Sequence, residues 1–447
     1  MMFCRQFWIL AAICGGFLLL YCALLTKSTL NAYSSTRKKC DAYPAYNKYV
    51  AVSSNTCPSF EKHKSVSNHS GLSNRCVRYF SVWLGPYGSW TEYAVIENLL
   101  KDAQDHKSTI NNSRIILSKE HPSFFQECPD FTCDVVIIGM QSIENRSVLE
   151  HSDAIFFNIR PKIHREKTHE FLEQSVKDLP SNIKIIFYSM ESPLMLNYFD
   201  PQIDRIKYHI DMTYFSDTDV HLPYGRYIFG EPTDRELINY AENKTDLLVW
   251  VASNCKKTFW PRMDWVKSLE KLITFDTYGR CGRNIGCLPR LSPECARKRS
   301  HYKFILALEN SQCDGYVTEK FWLNGVMNGI VPIVYGGKRA AYEHIAPPNS
   351  FIHIGDFSSQ QELVNYLLKV DKNDSLYNEF FAWRRQGHIE IVYPDLKPQS
   401  FCKVLPKLSE STPVKSVGDS NYFQSCRGGA KRPFSVDGDI ESWTPWK

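Results

Sequence analysis

The chain has 447 residues, 43% hydrophobic and 23% charged, a balance that marks it as globular and excludes a disordered class. At roughly 150 residues per core, its length points to two folded domains with appendages. The formal charge of +5 is spread without a dense basic block, which argues against nucleic acid as a partner.

The first predicted element is FWILAAICGGFLLLYCALL, residues 7–25, which is uncharged and has the roughly 20-residue length that crosses a bilayer. It reads as an uncleaved transmembrane anchor, because a cleaved signal has a shorter apolar core and a small-residue cleavage site. Residues 1–6 are then a short cytosolic tail. Arg5 before the span and Lys27, Arg37, Lys38 and Lys39 after it do not fix orientation by charge. The chain beyond the span does. Twelve of the fifteen cysteines follow it, an even set suited to an oxidising compartment. The sequons headed by Asn68, Asn111, Asn145, Asn243 and Asn373 follow it too. A single-pass type II protein with a lumenal body is expected. Zinc is the rival use of Cys281, Cys287 and Cys295, but the chain contains no C-x-x-C pair.

Residues 26–75 are rich in Ser, Asn, Lys and Tyr without steady apolar periodicity, as in a stem. From there, apolar runs alternate with helix-compatible stretches: YFSVWLG, DVVIIG, AIFFNI and IKIIFYSM, then LLVWVAS, ITFDTYG, YKFILALEN and IVPIVYGG. Continuous apolar runs fit strands covered on both faces, as in parallel sheets. PRMDWVKSLEKL and TEKFWLNGVMNG are the predicted crossover helices of the second series. The reading is α/β, with domains at 76–240 and 241–402, a hinge near 239–245 and a polar tail at 403–447.

Ligands in open α/β sheets bind beyond the carboxyl ends of strands. Glu309 and Asn310 close one strand, and Asn254 follows another. Glu319 and Lys320 fall in a first helical turn, where an acid is favoured and a lysine is not unless an anion faces it. Arg262 opens another helix and could fork onto phosphate. Glu191, in YSMESPL, sits at a strand end before Pro193, a position open to general-base work but more often simply solvated. Asp217-Thr218-Asp219 and Asp437-Gly438-Asp439 are D-x-D patterns of the kind that can hold a divalent metal. Both are read as non-metal, since so short a pattern arises readily by chance.

Several stretches together resemble the α1,3-fucosyltransferases of glycosyltransferase family ten: FILALENSQCDGYVTEKFW with GIVPIVYGG, the ESP at 191–193, MTYFSDTDVHLPYG, VASNC, DTYGRC, PPNSFIHIGDF and EFFAWRR. The cysteine-bearing segments ECPDFTC, SNC and GRCGRNIGC, with Cys313, look closest to the invertebrate and core-type branch. The resemblance covers roughly residues 77–402. It implies a GT-B architecture of two Rossmann-like domains, the acceptor domain first and the GDP-fucose domain second. The implied reaction is an inverting transfer of fucose from GDP-fucose to O3 of N-acetylglucosamine in glycoprotein glycans. Glu191 is then the base, and Asn254, Arg262, Glu309, Asn310, Tyr316, Glu319 and Lys320 bind the donor. No cofactor is required, a divalent metal being at most stimulatory, and the expected location is the Golgi membrane. Two other readings stand beside it: a metal-dependent GT-A sugar transferase using Asp217 and Asp219, and an inactive membrane-anchored lectin.

Overall fold

A computed structural model describes residues 76–83, 112–117, 133–140, 146–159, 168–283, 292–393 and 398–426. The expected span, the stem, Asn68, Asn111, Asn145, Asp437 and Asp439 lie outside the described residues. Among those described, no helix is long and apolar enough to cross a membrane. Asn243 and Asn373 are exposed.

The first series of apolar runs forms a seven-stranded sheet. In chain order its strands are β1 (Cys76–Trp83), β2 (Asn112–Leu117), β3 (Cys133–Met140), β4 (Ala154–Asn158), β5 (Lys184–Ser189), β7 (Ile210–Thr213) and β8 (Val220–His221). The spatial order is β2-β3-β1-β4-β5-β7-β8, all parallel except the edge strand β2, which runs antiparallel to β3. Every residue of β4 is buried, which is why AIFFN shows no polar alternation.

The second series forms an all-parallel sheet of β10 (Asp246–Val251), β11 (Asp276–Tyr278), β12 (Tyr302–Leu308), β13 (Val331–Tyr335) and β14 (Ile352–His353), in the order β11-β10-β12-β13-β14. Helix Gln360–Asp371 covers one face by burying Leu363, Val364, Leu367 and Val370, the spacing of one helical stripe. These side chains join Trp265, Val266 and Leu269 of helix Arg262–Leu269 and the strand residues Leu248, Trp250, Phe304, Leu306 and Ile333 in one core. Each fully buried aliphatic side chain contributes about 1.5–3 kcal/mol.

One expected helix is cut short. TEKFWLNGVMNG forms only Glu319–Trp322, then a 3₁₀ turn at Val326–Asn328. Gly329 ends that turn at φ +65°, in the left-handed region glycine favours. Asn324 and Gly325, both poor helix formers, had already broken the run.

Two antiparallel pairs stitch distant parts of the chain. β9 (Gly225–Phe229) pairs with β15 (Gly387–Ile391), and β6 (Lys207–Tyr208) pairs with β16 (Lys415–Ser416). The C-terminal segment is therefore held beside β6, in a small sheet separate from the seven-stranded one. Disulfides join Cys255 to Cys281 and Cys313 to Cys426, and Cys295 is disulfide-bonded as well. Cys281 is thereby committed to sulfur rather than to zinc.

Candidate active site

Strand β5 ends at Ser189, and Ser192 caps helix Pro193–Phe199 by accepting a hydrogen bond from the Met195 amide. Glu191 lies in the tight turn between them. Its Oε1 accepts from the Ser192 amide at 2.9 Å, from Asn310 Nδ2 at 3.3 Å and from Tyr316 Oη at 2.5 Å. Asn310 and Tyr316 belong to the segment after β12, so the carboxyl ends of β5 and β12 meet here. Ser192 Oγ and Ser311 Oγ, 2.6 Å apart, make a second link across the junction. Glu191 is half-buried, and its Oε2 accepts no hydrogen bond among the described residues. One oxygen is anchored and the other is open, as a proton acceptor requires.

Glu309 and Lys320 form a buried cluster behind this junction. The Glu309 carboxylate accepts from the Thr318 amide at 2.9 Å, from Thr318 Oγ1 at 2.8 Å and from Lys320 Nζ at 2.7 Å. Lys320 Nζ also donates to Thr318 Oγ1 at 2.8 Å. Burial pushes the Glu309 carboxyl above the usual carboxylate range, while the Lys320 ammonium and the Thr318 amide pull it back. The lysine in this first helical turn has a carboxylate partner eleven residues earlier. Glu319 is buried, with Oε1 at 3.6 Å from Lys320 Nζ. Gly336 is needed beside the cluster: its φ is +151°, and an added Cβ would lie 2.7 Å from Glu309 Cβ.

Arg262 is 2% exposed. It donates from Nη1 to the Leu308 carbonyl at 2.8 Å and from Nη2 to the Asn254 carbonyl at 2.5 Å. The Asn254 side chain closes its own loop, accepting from the Lys257 amide at 3.0 Å and donating to the Lys257 carbonyl at 2.7 Å. The Phe259 amide and Trp260 Nε1 bond the carbonyls of Asn310 and Glu309, so loop 254–262 wraps the end of β12. The sequence-predicted donor residues are therefore neighbours, but Arg262 and Asn254 spend these hydrogen bonds on main chain.

Two tyrosines were missed by sequence reasoning. Tyr224 Oη donates to the Met190 carbonyl and Tyr422 Oη to the Glu191 carbonyl. No periodicity or spacing could have signalled either contact. Tyr214 and Tyr224 flank the Tyr316 ring, with centroids at 5.0 and 6.3 Å. Together with Val317, Trp322 and His344 they also line a cavity of about 310 Å³. Glu191 does not line that cavity, so the cavity is not assigned to the chemistry.

At the D-x-D, Asp219 Oδ2 accepts Lys415 Nζ at 2.7 Å and the Asp211 amide at 3.0 Å. Asp217 Oδ2 accepts Asn421 Nδ2 at 2.5 Å. These carboxylates hold the C-terminal segment.

Comparison with known proteins follows the same motifs. The model for glycosyltransferase family 10 (fucosyltransferase), C-terminal part, matches residues 241–422. The chain is 32% identical to the 3-galactosyl-N-acetylglucosaminide 4-alpha-L-fucosyltransferase FUT3 of Bos taurus, over 63% of this chain and 73% of that protein. It is also 32% identical to the glycoprotein 3-alpha-L-fucosyltransferase A of Drosophila melanogaster, over 60% of this chain but only 50% of that protein. A crystal structure of an alpha1,3-fucosyltransferase with GDP-fucose aligns at TM-score 0.43 and 16% identity, over 78% of this chain and 96% of that one, too loosely for any residue-level transfer. The matched family model and the bovine relative establish that the chain belongs to glycosyltransferase family 10, the fucosyltransferases.

Proposed function

We propose that the protein is an inverting α1,3-fucosyltransferase, moving L-fucose from GDP-β-L-fucose to O3 of an N-acetylglucosamine in glycoprotein glycans. The observation that carries this reading is Glu191, held at the meeting point of two strand ends with one carboxylate oxygen anchored and the other open. In this reading the fold is GT-B, with the acceptor domain at 76–240 and the GDP-fucose domain at 241–402. The two parallel sheets support it, as does a junction at their carboxyl ends. The body is lumenal, anchored in the Golgi membrane by residues 7–25. No cofactor is required, and a divalent metal is at most stimulatory.

Glu191 Oε2 takes the proton of the acceptor hydroxyl as that oxygen bonds the anomeric carbon. The bond from that carbon to the diphosphate breaks, and GDP leaves with the electron pair from the opposite face, inverting the centre. A positioned base is worth about 10²–10⁴-fold. Of the three N–H groups on Lys320, one serves Glu309 and one serves Thr318. Glu319 Oε1, at 3.6 Å, lies beyond hydrogen-bond distance, so this reading assigns the third to a phosphate oxygen, where charge builds as GDP departs. Arg262, bonded to two carbonyls, contributes as a fixed positive charge. Asn310, Tyr316 and Glu319 complete the donor side.

The test is transfer by the full-length protein from GDP-fucose to a small glycan panel, in the presence of EDTA, with wild type and Glu191→Gln compared. Wild type should release GDP and form fucosylated product, and the variant should be slower by about 10²–10⁴-fold with unchanged GDP affinity. Near-normal transfer by well-folded Glu191→Gln would remove the proposed base, and glycan binding without GDP release would turn the reading to a lectin.

A further inference from the structure

Glu191 is held from two sides by tyrosines from distant parts of the chain. Tyr316 Oη donates to its carboxylate at 2.5 Å. Tyr422 Oη donates to its main-chain carbonyl and lies 3.4 Å from Ser189 Oγ. Tyr422 is fully buried, its ring packed on Phe187 at 5.7 Å and on Tyr214 at 5.5 Å. Tyr214 packs in turn on Tyr316 at 5.0 Å, so the two tyrosines are ends of one aromatic stack. Burial pushes the Tyr422 phenol far above its usual value, and it stays a donor at any working pH. Packing alone would be satisfied by phenylalanine, so the hydroxyl needs another reason.

The segment carrying Tyr422 is latched along its length. β16 pairs with β6, Lys415 binds Asp219 at 2.7 Å, and Asn421 binds Asp217. Ser420 caps the turn Asn421–Gln424 by accepting from the Phe423 amide at 3.1 Å. Cys426 is bonded to Cys313, three residues before Tyr316. The D-x-D carboxylates and the Cys313–Cys426 disulfide thus hold, on both sides, the segment that brings the Tyr422 hydroxyl to the turn carrying Glu191.

We infer that Tyr422 is a positioning residue for the transfer reaction, fixing the peptide plane of Glu191 so that its open carboxylate oxygen faces the acceptor hydroxyl. This rests on Glu191 being the base. Misplacement of a reacting group by about an ångström can cost on the order of a hundredfold, and losing one orienting hydrogen bond while Tyr316 remains should cost roughly tenfold.

The experiment is a double-mutant cycle on the full chain, in which Tyr422→Phe, Glu191→Gln and their combination are compared for kcat, KM for GDP-fucose, and Tm. Tyr422→Phe should lower kcat about tenfold with KM within twofold, and should add no loss in the Glu191→Gln background. A structural effect would multiply with Glu191→Gln, and that result, or a wild-type kcat for Tyr422→Phe, overturns the inference while leaving the base reading intact. A near-normal Glu191→Gln overturns both, and is distinguished by that single variant. Should Tyr422→Phe fail to fold, Lys415→Met releases the latch at a half-exposed site and should show the same split, a smaller loss of kcat that vanishes in the Glu191→Gln background. Its absence counts against the inference equally.

Discussion

Lys320 Nζ lies 2.7 Å from Glu309 Oε2, in a cluster where the glutamate is fully buried and the lysine side chain is 17% exposed. Removing one member of such a pair strands the other charge, a change that costs about 3–5 kcal/mol when both are buried. Because Lys320 retains some exposure, Lys320→Ala should cost about 2–3 kcal/mol and weaken GDP binding as well. The double variant Glu309→Gln/Lys320→Met should recover most of the Tm without recovering GDP affinity. Unfolding curves and GDP titrations on the two proteins check this. Normal GDP affinity in Lys320→Ala would take the lysine out of the donor site.

Arg262 should tolerate no conservative replacement. Its two guanidinium nitrogens reach different carbonyls, those of Leu308 and Asn254, a fork that a single ammonium cannot reproduce. Arg262→Lys should destabilise by about 2–4 kcal/mol, from lost hydrogen bonds to a charged group and unpaired buried carbonyls. Thermal denaturation with and without GDP reads the effect. An unchanged Tm would mean that this fork does not hold the ends of β10 and β12.

The Asp211–Asp219 pair should leave a signature in pH. Burial, and next the hydrogen bond with Asp219, push the Asp211 carboxyl up to about 7 from 3.8. The native state therefore binds more protons than the unfolded state between roughly pH 4 and 7. Its contribution to stability is present below pH 4 and is lost as pH rises through 7. Relative to Asp211→Asn, wild type should lose on the order of 1–3 kcal/mol across that window. For Asp219, burial acts to raise the carboxyl, but the Asp211 and Lys415 hydrogen bonds outweigh it and hold it low. Its contribution is lost in the other direction, as pH falls below 4. Urea unfolding at half-unit steps from pH 4 to 7.5 gives the difference, and parallel curves for the two proteins would contradict the assignment.

The disulfide between Cys313 and Cys426 closes a 113-residue separation. Cross-links over such loops are worth about 2–5 kcal/mol. Cys313→Ser/Cys426→Ser should lower the denaturation midpoint accordingly and raise protease sensitivity near residue 415. Mass spectrometry of non-reduced peptides should recover the 313–426 link from wild type. Recovery of both cysteines as free thiols would set it aside.

Much of the architecture was legible because of burial. AIFFN and YKFILAL sit between covering layers on both faces, so their apolar runs are unbroken. Glu309, Asn310, Tyr316, Glu319 and Lys320 were legible as a group because they share one strand-to-helix passage, and local sequence keeps them together. The short length of the Glu319–Trp322 helix was also written there, in Asn324, Gly325 and Gly329, although the apolar residues keep helical spacing past Trp322. What no local pattern carries is pairing at long separation: Tyr422 with Glu191, Lys415 with Asp219, Cys313 with Cys426. Nor does residue type reveal that the Asn254 amide is spent on its own loop. Identity of a side chain says what it can bond, and only the folded backbone says what it already has.

The bond between Tyr422 and Glu191 joins residues 231 positions apart, and this imposes an order in time. At about 5–20 residues per second of synthesis, strand β5 and its glutamate exist roughly ten to fifty seconds before the tyrosine that holds them is made. The first sheet can assemble in that interval, while β6, which is not one of its strands, still awaits β16. A ribosome that stops short of residue 422 would release a chain with the strands of both sheets made and Glu191 unlatched, so the setting of the turn doubles as a check that translation ran past Tyr422.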